Sequence, residues 1–317
     1  MLRQQATIGC LLALLTAVFW GALPIAMKQA LEVLDPYTIV WFRFVSATLG
    51  LGLWLAWRRG LPSPVLLWRN YRALLLVATL GLAGNFLLFN SALQYLSPAV
   101  VQVVIQLAPV LLLLASVWIL KEPLQRHQGI GLLLLLGGML LFFNERLYEL
   151  FTSLSSYTLG VLLAVAAAVV WVAYGVAQKL LLRRLSSPQI LLVLYTLSAL
   201  LFTPMAQPQQ AAAMDMRQWG MLLFCCLNTL VGYGAFAEAM ARWEAAKVSA
   251  IVTLAPLFTI LFLDLLSVSY PALFTAAPLN LLGYIGALVV VAGAMFSAIG
   301  HRLLPPRAVK PVATESD

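Results

Sequence analysis

The chain has 317 residues, of which 63% are hydrophobic and 9% charged, with a formal net charge of +8. Soluble domains carry about 25% charged residues, so this composition excludes a water-soluble fold and makes lipid the solvent for most of the surface. The positive charge does not imply nucleic acid, because the basic residues sit in short segments between apolar runs and not in a stripe on one domain.

A helix needs about 20 apolar residues to cross the hydrocarbon core. Runs of that kind fall near 8–28, 36–57, 73–94, 98–119, 128–144, 158–181, 188–205, 218–240, 247–267 and 280–300. The first has no small-x-small cleavage site and reads as a retained helix. Asp35-Pro36, Ser97-Pro98 and Ser187-Pro188 each put a capping side chain before a proline at the first helical position. The segment from 303 to 317, with Pro305, Pro306 and Pro311, reads as a disordered tail. Cys10, Cys225 and Cys226 lie within apolar runs and match no metal or disulfide spacing. No Gly-Lys-Ser/Thr phosphate loop is present, and the sequence implies no cofactor.

The basic residues test the span count. With the N-terminus inside, the inner segments hold Arg3; Arg58, Arg59, Arg69 and Arg72; Lys121 and Arg126; Lys179, Arg183 and Arg184; Arg242 and Lys247; and Arg302, Arg307 and Lys310. The outer segments hold only Lys28, Arg146 and Arg217, and Arg43 falls within the second span. A miscounted helix would scramble this separation, so the pattern predicts ten spans with both ends in the cytoplasm of a bacterial inner membrane.

The halves repeat. Ala17-Val18-Phe19-Trp20 returns as Ala168-Val169-Val170-Trp171 after 151 residues. Gln106-Leu107-Ala108-Pro109 returns as Thr253-Leu254-Ala255-Pro256 after 147, and Gly137-Gly138-Met139 as Gly293-Ala294-Met295 after 156. Five spans per half is an odd number, so the second half enters from the opposite side. The expected fold is therefore an all-α membrane protein of two inverted-topology five-helix repeats, residues 1–145 and 156–302. That design suits alternating access.

These features together resemble the EamA-type members of the drug/metabolite transporter superfamily over residues 8–300. The resemblance rests on Phe19-Trp20-Gly21, on Leu107-Ala108-Pro109 and Leu254-Ala255-Pro256, and on Lys121-Glu122 closing the fourth span. It implies a carrier that exports amino acids or related metabolites. One departure is the end of the ninth span, where the family often has Gly-Glu and this chain reads Leu265-Leu266-Ser267-Val268, followed by a longer outer loop with Tyr270, Pro271 and Pro278.

Candidate transport residues are the polar, aromatic and charged side chains within spans. Pro24, Pro109 and Pro256 are expected to kink their helices and free the carbonyls of Trp20, Ile105 and Val252 for a cavity or for packing alone. Gln102 and Gln106 share a helix face, as do Ser249 and Thr253, and Asn85, Asn90, Asn228, Thr229 and Tyr233 are further polar candidates. Such groups line a path or act as interhelical glue. Trp20, Trp171 and Tyr174 suit a site wall or a core. Arg43 costs about 2.5–3.5 kcal/mol at mid-membrane and must face water or a partner. An Arg43–Asp264 pair is expected either as an outer gate or as a static ion pair, with a substrate carboxylate as the other partner for Arg43. Glu238 and Arg242 are spaced for a helix ion pair.

The glycine-bearing fifth and tenth spans are expected at the periphery or between the protomers of a possible homodimer. Export of a small amino acid or amino-acid-derived metabolite is the leading function. An opine-type metal chelator or a drug fits nearly as well as cargo. A membrane-embedded enzyme lacks the clustered nucleophile, base or metal ligands it would need. The partners expected are a small-molecule substrate and the lipid bilayer.

Overall fold

The computed structural model describes residues 2–119, 125–243, 245–276 and 279–300. Lys121-Glu122, Pro278, His301 and the predicted tail lie outside them. All regular structure among the described residues is helical: α1 (Leu2–Ala30), α2 (Pro36–Trp57), α3 (Pro64–Tyr95), α4 (Pro98–Val104), α5 (Leu107–Ile119), α6 (Arg126–Phe142), α7 (Leu147–Thr152), α8 (Ser156–Leu181), α9 (Ser187–Phe202), α10 (Met216–Arg242), α11 (Ala245–Val252), α12 (Ala255–Ser269) and α13 (Leu281–Ile299), with a 3-10 turn at Pro208–Ala213.

Among the described residues, seven helical stretches are long and apolar enough to cross a membrane: Gln5–Ala30, Pro36–Trp57, Arg69–Tyr95, Ser156–Leu181, Met216–Met240, Lys247–Ser269 and Leu281–Ile299. Two further apolar helices, Arg126–Phe142 and Ser187–Phe202, are shorter. At 1.5 Å per residue they are about 24–26 Å long, slightly less than the hydrocarbon core. The remaining expected span, 98–119, is not one helix but two, α4 and α5, parted at Ile105 and Gln106. The 247–267 run is likewise parted at Thr253 and Leu254.

The helix starts follow local chemistry. Asp35 accepts a hydrogen bond from the Thr38 backbone N–H at 2.9 Å, and Ser97 caps α4 ahead of Pro98. At α9 the cap is Ser186, one residue earlier than predicted. Gln189 at the third position completes a reciprocal capping box with Ser186, which leaves Ser187 inside the helix. The same Gln189 donates to the Gly60 carbonyl at 3.0 Å, tying the ends of α2 and α9 together.

The most extensive helix contacts are α6 with α13, α3 with α8, α1 with α10, and α2 with α9. Each joins the first half of the chain to the second. Two lesser pairs, α1 with α12 and α8 with α5, also cross between halves. At the α6–α13 contact, a Cβ on Gly131 would lie 2.6 Å from the Gly293 carbonyl oxygen, and one on Gly138 would lie 2.6 Å from the Val290 nitrogen. Gly131, Gly138, Gly286 and Gly293 thus let the backbones of the two helices meet within one chain, whereas a Cβ on Gly129 or Gly137 would have nothing within 4 Å.

Candidate functional site

α1 is the spine of the bundle, and its Phe19-Trp20-Gly21 turn is where the other elements grip it. Pro24 sits inside α1 and removes the usual donor to the Trp20 carbonyl. Gln102 Nε2 on α4 donates to that carbonyl at 3.3 Å. The flanking carbonyls are held too: Asn228 Nδ2 on α10 donates to Phe19 at 2.6 Å, and the Thr259 hydroxyl on α12 donates to Gly21 at 2.7 Å. Three successive carbonyls thus take donors from three different helices. Such bonds average about 0.6 kcal/mol each in membranes.

The two broken helices meet beside this turn. Gln106 stands in the α4–α5 break and Thr253 in the α11–α12 break, and Gln106 Nε2 donates to the Thr253 carbonyl at 2.9 Å. Both residues are buried. Pro109 and Pro256 do not kink continuous helices. They fall in the first turns of α5 and α12, where a missing N–H removes no helical bond. The Ile105 carbonyl is taken by the Ala108 N–H at 2.9 Å, so it is not open. Ser249 lies one turn before Thr253 on α11, half-buried.

Arg43, on α2, is 3% exposed. Its Nε donates to the Thr229 hydroxyl at 3.1 Å and its Nη1 to the Met27 sulfur at 3.5 Å. Its guanidinium carbon lies 4.3 Å from the centre of the Phe86 ring. Tyr233 continues this wall, 6.4 Å from Phe86 and 5.3 Å from Trp20 between ring centres. Trp20, Arg43 and Tyr233 are thereby gathered at one place between α1, α2, α3 and α10.

Other candidates fall elsewhere. Asn85 Nδ2 donates to the Ala167 carbonyl at 2.9 Å and joins α3 to α8. Trp171 and Tyr174 pack on each other, with ring centres 6.1 Å apart, and Tyr174 is buried in the apolar cluster of α2, α3, α8 and α9. Arg43 and Asp264 do not meet. Asp264 instead accepts from the Tyr284 hydroxyl at 3.1 Å. α2 packs on α9, α10 and α3, whereas α12 packs on α1, α4 and α13, so the two residues belong to different sides of the bundle.

The two ends of the bundle are tied differently. At the Lys28 end, Lys28 donates to the carbonyls of Leu93 and Leu96 at the end of α3. Arg217 donates to Gln29 at 2.5 Å and to Glu32 at 2.9 Å, and Gln218 adds a bond to Glu32 at 3.1 Å. Lys28, Gln29 and Glu32 border a cavity of about 420 Å³ that Ile25, Tyr95, Leu263 and Phe274 also line. At the opposite end, Glu238 and Arg242 form the predicted ion pair at 2.7 Å.

The sequence pattern of the EamA-like transporter family matches residues 7–144 and 158–299. The chain belongs to that family. A relative from Escherichia coli (strain K12), "Uncharacterized inner membrane transporter YhbE", is 60% identical over 304 residues, covering 95% of this chain and 94% of its own. An "Uncharacterized transporter" from Haemophilus influenzae is 48% identical, covering 96% and 99%. A "Probable amino-acid metabolite efflux pump" from Salmonella typhimurium is 23% identical, covering 92% and 95%. A solved crystal structure at 24% identity covers 94% of this chain and 98% of its own with a TM-score of 0.62, a likeness of fold.

In this EamA-like transporter, sequence reasoning missed Met27 and Phe86 as partners of Arg43. Nothing in the sequence signals them, because an apolar residue in an apolar helix looks the same whether it faces lipid, core or a cation. Thr229 and Asn228 carried a signal as polar side chains in a span, but not one that named their partners.

Proposed function

We propose that this transporter is a ten-span carrier built from two inverted five-helix repeats, residues 1–145 and 156–302, with both ends in the cytoplasm. It exports a small amino acid or amino-acid-derived metabolite by alternating access. The observation that carries this reading is the bond from Gln106 to the Thr253 carbonyl, where the broken helix of one half meets the broken helix of the other. Broken helices at a repeat interface expose backbone groups that bind solutes in secondary transporters. The mirrored packing of α1 on α10 and of α3 on α8 supports the two-fold design. So does the distribution of Lys and Arg along the sequence.

In this reading the substrate lies against Trp20, Arg43, Gln102, Gln106, Tyr233 and Thr253. Ser249 stands at the approach along α11, and Asn85, Trp171 and Tyr174 hold the mirrored helix pair. The Lys28 end faces outward, and its bonds among Gln29, Glu32, Arg217 and Gln218 close the outer face in place of the expected Arg43–Asp264 pair. An export screen tests the function. The gene is deleted and then restored, and metabolites in the medium are compared. The reading expects one or a few amino-acid-related solutes to fall on deletion and recover on re-expression. An unchanged medium under both deletion and overexpression would count against it.

A further inference from the structure

Arg43 is the only Asp, Glu, Lys or Arg side chain that is buried among the described residues. Its partners in the structure are a hydroxyl, a thioether and an aromatic face, all neutral. A guanidinium has five N–H donors, and the bonds to Thr229 and Met27 use two of them. A buried cation without a carboxylate is costly, and an arginine keeps its charge at any physiological pH. The acids nearest the ends of the bundle are engaged elsewhere: Glu32 by Arg217, Asp264 by Tyr284 and Glu238 by Arg242.

We propose that the cargo is an organic monocarboxylate anion with an aromatic or branched apolar body and no free ammonium group, held by Arg43 and expelled by the membrane potential. This rests on the carrier reading above and narrows its substrate class. An ammonium would need several acceptors. No carboxylate is buried among the described residues to pair with it, and the carbonyls of Trp20, freed by Pro24, and of Thr253, at the α11–α12 break, already accept from Gln102 and Gln106. The amide oxygen of Asn228, beside Thr229, is buried without a hydrogen-bond partner among the described residues. A neutral acceptor of this kind suits a hydroxyl or an acylated N–H. The rings of Phe86, Tyr233 and Trp20, 6.4 and 5.3 Å apart between successive centres, supply an apolar flank. The substrate class is therefore hydroxy or N-acyl acids related to apolar amino acids.

The charge also supplies the driving force. The loaded site is neutral and the empty one carries a single positive charge. Moving one charge through 100 mV yields about 2.3 kcal/mol, an accumulation ratio of about 50-fold. With the interior negative, the anion is driven outward and no coupled ion is required.

The test uses the full chain in liposomes, with a potassium diffusion potential and five probes: phenyllactate, phenylalanine, phenethylamine, 2-hydroxyisocaproate and leucine. Each hydroxy acid is isosteric with its amino acid. The hydroxy acids should show saturable flux that rises with the imposed potential, and should accumulate toward a ratio of about 50-fold at 100 mV, with the amino acids at least tenfold slower. Arg43→Gln should bring hydroxy-acid flux down to the amino-acid level. Arg43→Lys, which keeps the charge but not the planar fork, should raise KM about tenfold and keep the potential dependence. Saturable, electrically silent flux of phenylalanine or leucine at the rate of its partner would overturn the assignment while leaving the carrier reading standing. Preference for phenethylamine would do the same. If no probe shows saturable flux, this substrate class is wrong, and the export screen decides the carrier reading independently.

Discussion

Replacing Gln106 by alanine removes the side-chain bond between the two helix breaks, Gln106 Nε2 to the Thr253 carbonyl at 2.9 Å. Interhelical hydrogen bonds in membrane proteins average about 0.6 kcal/mol and reach about 1.7. If the bond holds the two halves in this conformation and opens in the other, its loss shifts the equilibrium between them by about 3-fold to about 18-fold. A side chain that also touches the substrate raises KM in addition. Counterflow in liposomes separates the effects: a change in turnover reports the shifted equilibrium, and a change in KM reports substrate contact. Melting in detergent checks that the variant folds. The reasoning is refuted if KM and turnover both stay within twofold of the parent while the protein folds normally.

Two further outcomes concern stability. Gly138→Val should destabilise the protein by about 1–3 kcal/mol, because its Cβ would stand 2.6 Å from the Val290 backbone nitrogen; Gly137→Val, with nothing within 4 Å, should change melting little. Equal effects would contradict the glycine-mediated contact. Glu149, outside the spans, accepts from the Ser155 hydroxyl and from Arg146, and these bonds hold its carboxyl below the ordinary glutamate range. Because its folded pKa is the depressed one, the clamp between α7 and α8 is intact above the ordinary carboxylate range and is lost as pH falls through the lowered value. Hydrogen-exchange protection across residues 147–158, taken relative to the intrinsic rate at each pH, should fall at acid pH in the parent, and in Glu149→Gln it should be already lowered at neutral pH. A pH-independent profile in the parent would refute the clamp.

What the sequence revealed depended on whether a residue's signal was local. Asp35-Pro36 and Ser97-Pro98 marked their helix starts, because capping needs only neighbours along the chain. Ser187 was mistaken for the cap because Gln189 completes a capping box equally legible in the sequence but one position back. The glycines of α6 and α13 announced close packing without saying against what, since a stripe of small residues does not name its partner. Arg43 announced its need for company. Its pairing with Asp264 failed because depth in the membrane says nothing about position around the bundle, and α2 and α12 lie on different sides. The prolines of α5 and α12 read as kinks because periodicity cannot distinguish a bent helix from one that ends and restarts.

Counterflow tests the carrier most directly. Liposomes containing the purified transporter are loaded with the solute that the export screen identifies, and uptake of labelled solute is followed against a range of outside concentrations. A carrier whose site is exposed to one side at a time predicts saturable uptake that is accelerated by unlabelled solute inside. Uptake that rises linearly with concentration and ignores the solute inside would show a pore, and would contradict the alternating design.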